Sequence, residues 1–404
     1  MANVPEIRFE GFTGDWTPRK LGEVAEFSKG KGYSKGDLTP TGTPIILYGR
    51  LYTKYETVIK NVDTFVEMRG KSVISKGGEV IVPSSGETAE DISRASVVLK
   101  SGIILGGDLN IVKPNSTIDP TFLAITISNG KQQKELSKRA QGKSVVHINN
   151  SDLQEVVLQL PTLAEQEAIG NFFRTLDENI TLHKLKLDKL RELKRGYLQQ
   201  MFPQAGERVP KIRLKGFTDN WKNVKLGDML VERNEQIEES AQYPLMSFVG
   251  NVGVVPKGEQ YDRSFLVKDE NKKYKKTLLN DFIYSSNNLE TGSVGFNRTG
   301  NAVISPVYSI FYSNSDSESQ FVGLLSQRKD FINKMIRYRQ GVMYGQWRIH
   351  EKDFLNITVL APSTAEQNEI IRFFQNLDTQ ISAQSQKVEK TELLKRGYLQ
   401  KMFV

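Results

Sequence analysis

A long stretch of this chain occurs twice, and the repeat constrains the fold more than any other feature. The first copy begins PTLAEQEAIGNFF at Pro161 and ends KRGYLQQMF at Phe202. The second copy begins PSTAEQNEIIRFF at Pro362 and ends KRGYLQKMF at Phe403. The two copies align without a gap at an offset of 201 residues. An internal repeat of this kind indicates a duplicated architecture.

Each copy predicts one long α-helix. Pro161 stands just outside the start, where the missing N–H costs little. Thr162 and Glu165 fit a capping box, and Ser363 and Glu366 repeat it in the second copy. The helical seam that follows has a 4-3 spacing in both copies, at residues 169, 173, 176, 180, 183, 187, 190, 194, 197 and 201 and at the same positions plus 201.

A seam with this spacing is typical of a coiled coil, in which each helix needs a partner. The two copies can supply each other with that partner inside one chain. Parallel pairing would force the connection through residues 203–361 to span the whole helix. We therefore expect antiparallel pairing, which brings the chain end at Val404 close to the first globular domain.

A second repeat defines the globular parts. The phrase PEIRFEGFTGDWTPRKLGEV near the start returns as PKIRLKGFTDNWKNVKLGDM from Pro210. The paired Trp16 and Trp221 are expected to be core anchors. Each domain also carries short β-branched runs, a helical stretch (120–140 in the first) and a last strand, a pattern typical of mixed α/β domains. The predicted domains are residues 1–160, a helix at 161–203, residues 204–361 and a helix at 362–404.

The predicted fold class is therefore α+β: two mixed α/β recognition domains in tandem, each followed by a long helix, with the helices forming an antiparallel coiled coil. Hydrophobic residues make up 38% of the 404 residues, which is enough for a core in each domain. The sequence has no apolar run of about 18 residues and no signal-peptide pattern. It contains no cysteine. Together these features predict a cytoplasmic protein without disulfides.

Sequence motifs for catalysis or metal binding are absent. The chain has no GxxxxGK[ST] phosphate loop and neither of the Asn-Pro-Pro-Tyr and Asp-Pro-Pro-Tyr motifs of adenine methyltransferases. His147, His183 and His350 do not have the spacing of metal ligands, and His183 lies on the helical seam, where a polar residue usually fixes register. No catalytic residue, cofactor site or metal site is predicted.

Positive charge is concentrated just before each long helix. Residues 131–147 hold five Lys or Arg against one carboxylate, and residues 328–348 hold six against one. The whole chain carries a net charge of +8, which suggests a polyanionic partner. A single basic segment is most simply a solvated helix face. Because it recurs in both domains, we favour a binding function.

The residues in and after these segments have the chemistry of DNA recognition. Arg and Gln can read guanine and adenine edges, while Lys and Ser hold phosphates. In the first domain the candidates are Lys138, Arg139, Gln141, Lys143, Ser144 and His147, with Lys31 in a glycine-rich loop at 28–36 that is expected to be flexible. In the second domain they are Tyr338, Arg339, Gln340, Tyr344, Gln346, Trp347 and Arg348, with Lys273 in a basic run.

The tandem layout, the paired P-x-x-A-E-Q helix starts and the paired K-R-G-Y-L-Q helix ends resemble the specificity subunit of a type I restriction–modification system. The resemblance covers essentially the whole chain and is strongest in the helices. It implies that each globular domain recognises one half of a bipartite target in double-stranded DNA. It also implies that the helices pack antiparallel, act as a spacer and bind two modification subunits.

The same resemblance assigns the chemistry to partners. Modification subunits of such systems methylate adenine with S-adenosylmethionine, and restriction subunits add translocation and cleavage with ATP and Mg²⁺. The sequence therefore predicts a non-catalytic DNA-recognition subunit with no cofactor of its own. The alternative is a structural or protein-interaction tandem that oligomerises through its helices. The target sequence and the gap length do not follow from the sequence.

Overall fold

The computed structural model describes residues 4–142, 145–250, 252–256, 272–315, 317–341 and 347–403. The chain forms two compact units. The first unit comprises Met1–Leu185 and Ser385–Val404, and the second comprises Lys186–Gln384. Each unit therefore combines one globular domain with segments of both long helices. The predicted domain boundaries between globular parts and helices stay predictions.

The first unit is built from short strands and short helices ahead of the long helix. Its strands are β1 (Thr17–Lys20), β2 (Ala25–Lys29), β3 (Thr43–Ile46), β4 (Val58–Ile59), β5 (Phe65–Val66), β6 (Glu79–Pro83), β7 (Ser85–Gly86), β8 (Ser96–Val98), β9 (Ile104–Leu105), β10 (Leu109–Pro114), β11 (Val146–His147) and β12 (Val157–Leu160). Its helices are α1 (Leu21–Val24), α2 (Arg50–Thr53), α3 (Ala89–Ile92), α4 (Pro120–Ile127), α5 (Gly130–Arg139) and α6 (Asn150–Gln154), with a 3-10 turn at Lys35–Asp37.

A five-stranded sheet in the order β2-β10-β6-β8-β4 forms the centre of this unit. All neighbours are antiparallel except β8 and β4, which are parallel. Strand β6 is buried along its whole length, and its Val80 and Val82 pack in the core against α4 and α5. A second sheet, β5-β3-β9, and the pairs β1-β12 and β7-β11 complete the sheets of the unit.

The second unit repeats this plan between the two long helices, α7 (Leu163–Gln200) and α12 (Thr364–Lys401). Its strands are β13 (Lys222–Lys225), β14 (Val231–Glu232), β15 (Gln236–Ile237), β16 (Met246–Val249), β17 (Gly253–Pro256), β18 (Tyr274–Thr277), β19 (Phe282–Tyr284), β20 (Val294–Phe296), β21 (Ala302–Ile304), β22 (Ser309–Tyr312), β23 (Gln340–Gly341), β24 (Trp347–Arg348) and β25 (Thr358–Ala361). Its short helices are α8 (Leu226–Met229), α9 (Ser317–Leu325), α10 (Lys329–Ile336) and α11 (Glu351–Leu355).

The central sheet of the second unit has the order β14-β22-β19-β20, and all its pairs are antiparallel. Its first three strands correspond to β2-β10-β6 of the first unit. Strand β19 occupies the central place of β6 and is likewise fully buried. The surrounding parts differ, because the first unit has the separate sheet β5-β3-β9, and the second has the sheet β15-β18-β21 and a hairpin β16-β17. The two units therefore share a central sheet and diverge around it.

The long helices are observed where the repeat predicts them, each 38 residues long. All the predicted seam positions are buried or half-buried, including the polar His183 and Gln384. In the first unit, Lys184 Nζ of α7 lies 2.6 Å from Glu392 of α12. Seven residues earlier in α7, Asp177 pairs with Lys395. As the residue number increases along α7, the number of the contacting residue in α12 decreases, so the helices are antiparallel here.

The second unit contains the same contact with the helices exchanged. Lys194 Nζ of α7 lies 2.6 Å from Asp378 Oδ1 of α12, and this pair matches Lys395 and Asp177 at the 201-residue offset. The rings of Tyr197 and Phe373 meet edge to face, with centroids 4.8 Å apart. These contacts confirm the predicted antiparallel pairing.

A buried arginine clamp holds the start of each long helix. Arg8 donates two hydrogen bonds of 2.6 Å to Glu165, whose side chain is 1% exposed. Arg213 donates two of 2.8 Å to Glu366 in the second unit. The capping-box prediction was therefore wrong for the carboxylates. Thr162 Oγ1 accepts from the Glu165 amide at 3.4 Å, but the carboxylate binds a guanidinium, which is the stronger partner.

Two other expectations also needed correction. The single helix predicted at 120–140 is two helices, α4 and α5, because Asn129 is extended and Gly130, the first residue of α5, adopts a φ of 67°. Strands were expected at short β-branched runs, and the buried strand β10 departs from that pattern because the polar Asn110 interrupts its apolar run. The side-chain amide of Asn110 donates a hydrogen bond of 2.8 Å to the Ile148 carbonyl. This bond makes the burial of the polar side chain possible.

The chain end packs where antiparallel pairing requires. Phe403 stacks on Phe122, with ring centroids 5.8 Å apart, and contacts Trp16 edge to face at 6.4 Å. Trp16 and Trp221 are 2% and 1% exposed, so both are core anchors as predicted. Among the described residues, no helix has the length and apolar character needed to cross a membrane.

The clamp predicts a large local stability effect. Arg8→Ala leaves the buried Glu165 carboxylate without its cation, which should lower the free energy of unfolding by about 3–5 kcal/mol. The control is Arg19→Ala, because Arg19 is 57% exposed and lies 4.0 Å from Glu23. Its expected cost is below about 1 kcal/mol. Urea transitions followed by circular dichroism measure both. Equal midpoints for the two variants would show that the clamp does not stabilise the unit.

Candidate nucleic-acid interface

Each unit carries a hairpin segment, after α5 in the first unit and after α10 in the second. The sequence placed most candidate residues there. We define the hairpin segment as residues 141–148 in the first unit and 340–349 in the second, within the described residues. In the first, Gln141 and His147 exchange backbone hydrogen bonds of 3.1 and 2.8 Å. In the second, Gln340 pairs with Arg348 in the β23-β24 ladder. The two units therefore present matching residues on the same element.

The hairpin segment of the first unit packs on the loop that leaves the central strand. We call residues 84–88 and 285–293 the strand-end loops. In the first unit, Ser85 and Gly86 form strand β7, which pairs with β11 of the hairpin segment. The Ile148 amide donates to the Ser84 carbonyl at 3.1 Å. Ser85 Oγ lies 3.2 Å from His147 Nδ1.

The second unit makes the same attachment with side chains in place of a strand pair. The backbone N–H of Trp347 donates a hydrogen bond of 2.6 Å to Asn287 Oδ1, and that of Ile349 donates one of 3.0 Å to Ser286 Oγ. The Tyr284 hydroxyl, at the end of β19, donates 3.3 Å to the Ile349 carbonyl. A loop of fixed geometry therefore lies beside each hairpin segment.

The predicted residues of the first unit lie mainly on the surface. Lys138 is exposed at the end of α5, and Gln141 and His147 are exposed on the hairpin segment. Arg139 is half-buried and donates 3.0 Å to Glu135, so part of its guanidinium is already occupied. Two further candidates, Lys143 and Ser144, lie outside the described residues.

Lys31 is exposed in the glycine-rich loop, which is fixed by hydrogen bonds rather than free as expected. The Lys31 amide donates 3.2 Å to the Leu105 carbonyl. At Gly30 a Cβ atom would lie 1.9 Å from the Gly106 carbonyl oxygen, so only glycine fits. Lys29 Nζ donates 3.2 Å to Asn149, directly after the hairpin segment. The loop and the hairpin segment are therefore neighbours.

In the second unit, most of the described candidates are exposed, and they include aromatic and cationic side chains. Trp347 is 50% exposed, and the Arg348 side chain is 55% exposed and 3.5 Å from Glu351. Tyr338 is also exposed. The side-chain amide of Gln340 donates a hydrogen bond of 3.1 Å to the Asp353 carboxylate. Lys273 is exposed just before β18. Tyr344 and Gln346 lie outside the described residues.

Arg339 is placed differently from the other candidates. Its side chain is 9% exposed, and it donates two hydrogen bonds of 2.8 Å to Glu290 of the strand-end loop. The hydrogen bond from Arg339 lowers the pKa of Glu290 below its ordinary value. The ion pair is therefore complete at neutral pH and is lost as the pH falls through that lowered pKa. Its role as a DNA contact stays a prediction, and its evident role is to attach the hairpin segment to the loop.

A charged cleft of about 600 Å³ adjoins Arg348 in the second unit and includes the buried Lys275. Burial acts to raise the pKa of Glu351 in this cleft. Hydrogen bonds from the backbone and Ser309, with the charges of Arg348 and Lys275, outweigh it and leave that pKa lowered. In the part of the chain that the structure describes, no group of three or more His, Asp and Glu side chains could hold a metal ion.

The sequence interpretation missed the strand-end loops. A signal was present, because Ser84-Ser85 and Ser285-Ser286 repeat at the 201-residue offset that relates the helices. These serines directly follow the matching strands β6 and β19. Without a structure, nothing in the sequence connects them to the hairpin segments, which lie about sixty residues further along the chain.

Comparison with protein families assigns this duplicated architecture. The family model described as the type I restriction modification DNA specificity domain matches residues 13–192 and again residues 218–393. The two matches cover most of the chain. The protein therefore belongs to the family of type I restriction–modification specificity subunits and carries two tandem specificity domains.

Similar proteins agree with this assignment. The type I restriction enzyme MjaVIII specificity subunit of Methanocaldococcus jannaschii is 19% identical, over 95% of this chain and 90% of the relative. The type I restriction enzyme StySPI specificity subunit of Salmonella potsdam is 21% identical, over 75% of this chain and 68% of the relative.

Solved structures show the same fold. The S subunit of a type I restriction–modification system from M. genitalium superposes with a TM-score of 0.65 at 15% identity, over 99% of both chains. A chain from a structure on complex assembly and conformational transition of the type I R-M system has a TM-score of 0.51 at 16% identity, over 96% of this chain and 97% of that one.

The attachment of the second hairpin segment can be tested directly. Arg339→Ala removes both bonds to Glu290, so the Trp347 and Ile349 amides should exchange with deuterium faster, on the order of tenfold. The matched control is Arg337→Ala, because Arg337 is exposed two residues earlier. Hydrogen exchange resolved by mass spectrometry or NMR gives the rates. Unchanged exchange in Arg339→Ala would mean that the ion pair does not hold the hairpin segment.

Proposed function

We propose that this protein is the DNA-reading subunit of a type I restriction–modification complex. Each unit reads one half of a bipartite site in double-stranded DNA through its hairpin segment. The paired long helices join the two readers, set the distance between half-sites and bind two modification subunits. The chain itself contributes recognition, and its partners contribute the chemistry.

One observation carries the proposal. The same attachment of hairpin segment to strand-end loop occurs in both units, within both ranges matched by the family model. The backbone scaffold repeats, while the exposed residues on it differ: His147 in one unit corresponds to Arg348 in the other. Repeated scaffolds with different exposed residues suit two domains that read different sequences.

The charge of the chain supports a DNA partner. The exposed Lys31, Lys138 and Arg348 lie in or near the hairpin segments, where they can neutralise phosphates or reach base edges. Trp347 adds an exposed aromatic surface. Lys and Arg contacts to phosphate release counterions, so the affinity should fall steeply as the salt concentration rises.

The partner subunits complete the proposal. S-adenosylmethionine would bind the modification subunits, which methylate adenine, and ATP with Mg²⁺ would serve restriction subunits. We propose no binding site for these groups in this chain.

The experiment uses the full chain assembled with its modification subunits. Binding to a library of random duplexes should enrich a bipartite motif with a constant gap, and the affinity for that motif should decrease steeply with salt. A complex that assembles but enriches no sequence would contradict the proposal and favour a structural tandem.

Arg348 provides the sharpest single-residue test. Arg348→Ala should weaken binding by about 1–3 kcal/mol if the guanidinium contacts a base edge, and the loss should be confined to one half-site. The control is Arg372→Ala, because Arg372 is 71% exposed on α12 and belongs to no hairpin segment. Affinities are measured at one salt concentration. If both variants bind as the wild type does, Arg348 does not contact DNA.

A further inference from the structure

The two strand-end loops place one side chain at the same point of each unit. Glu87 follows Ser84-Ser85-Gly86, and Asn288 follows Ser285-Ser286-Asn287 at the 201-residue offset. Both side chains are exposed. Among the described residues, neither side chain has a hydrogen-bond or ion-pair partner. We propose that Glu87 and Asn288 are specificity-determining residues, each reading one base pair of its half-site, an inference that rests on the proposed DNA-reading function.

In the first unit, the backbone around Glu87 is fixed. Gly86 is paired in β7, and the Tyr52 hydroxyl donates 2.5 Å to the Ser85 carbonyl. On the other side of Glu87, Thr88 caps α3 by accepting 3.0 Å from the Asp91 amide. The residue between these anchors is held at a set position while its carboxylate is free. Such preorganisation lowers the entropy cost of forming a contact.

The second unit fixes Asn288 by its own backbone. The backbone N–H of Asn288 donates a hydrogen bond of 3.2 Å to the Ser285 carbonyl. The backbone carbonyl of Asn288 accepts a hydrogen bond of 2.9 Å from the backbone N–H of Ser293. Ser293 in turn accepts 2.8 Å from the Ser285 amide, which closes the loop. Thr291 Oγ1 adds a hydrogen bond of 3.1 Å to the Asn288 carbonyl. Both backbone polar groups of Asn288 are therefore hydrogen-bonded within the loop, and its side-chain amide is available to an external partner.

The place of these residues also favours reading. Each strand-end loop directly contacts the hairpin segment, through β7-β11 in the first unit and through Asn287 and Ser286 in the second. DNA bound at the exposed Arg348 or His147 would therefore lie beside the loop. A side chain that discriminates between bases needs a rigid backbone and an unoccupied polar group, and this position has both in each unit.

The chemistry differs between the units as two different half-sites require. A carboxylate only accepts hydrogen bonds, so Glu87 selects a base that presents an amino group, as cytosine does with N4 in the major groove. An amide both donates and accepts, so Asn288 selects adenine through N6 and N7. A carboxylate also repels phosphates, so Glu87 serves selection rather than overall affinity.

The test exchanges the two residues in the full chain assembled with its modification subunits. Glu87→Asn should shift the preferred base at one position of one half-site towards adenine, and Asn288→Glu should shift one position of the other towards cytosine. The controls are Glu67→Asn and Asn223→Glu, which make the same exchanges at exposed positions outside the loops. Sequencing of bound random duplexes gives the preferences.

We expect discrimination at the affected base pair to change at least about fivefold, with other positions unchanged, while the controls match the wild type. If the wild type enriches a bipartite motif and both loop variants keep it unaltered, the inference is overturned and the proposed function stands. A variant that alters both half-sites also overturns it. If the wild type itself enriches no motif, the proposed function fails as well.

Discussion

An apolar seam on a 38-residue helix must leave water, and every other part of this structure depends on how the chain covers it. The seam is covered by the second copy of the same helix, running antiparallel. Each buried large apolar side chain contributes about 1.5–3 kcal/mol. Because the ion pair Lys194–Asp378 repeats Lys395–Asp177, the same contact is made once in each unit. Neither unit is continuous in sequence, since each uses segments of both helices.

The structure separates what is constant from what varies. The central strands, the arginine clamps on Glu165 and Glu366 and the serines after the central strands repeat between units, and all of these are buried or engaged. Several exposed side chains on the hairpin segments and strand-end loops differ between the units, such as His147 against Arg348 and Glu87 against Asn288. Exposed residues on a rigid backbone can change with little effect on stability. Recognition can thus diverge while the scaffold stays the same.

The sequence predicted the repeated parts well and the contacts between distant segments poorly. The 4-3 seam and the paired helix termini identified the long helices, because helical periodicity is a local signal. Their antiparallel pairing followed from the connection through residues 203–361, which would otherwise have to span the whole helix. The carboxylate of Glu165 was assigned to a cap, since its true partner, Arg8, lies 157 residues away. Arg339 looked like a free cation, because only the fold brings Glu290 to it. For the same reason the strand-end loops were not connected with the hairpin segments.

The central claim is that two independent readers share one scaffold, and exchanging one reader tests it most directly. Residues 1–160 are replaced by the equivalent segment of a relative that recognises a different target, and both long helices are kept. The chimera is assembled with the modification subunits, and the enriched DNA motif is determined by sequencing. The account predicts that one half-site changes while the other half-site and the gap between them stay the same. A change in both half-sites, or in the gap, would contradict it.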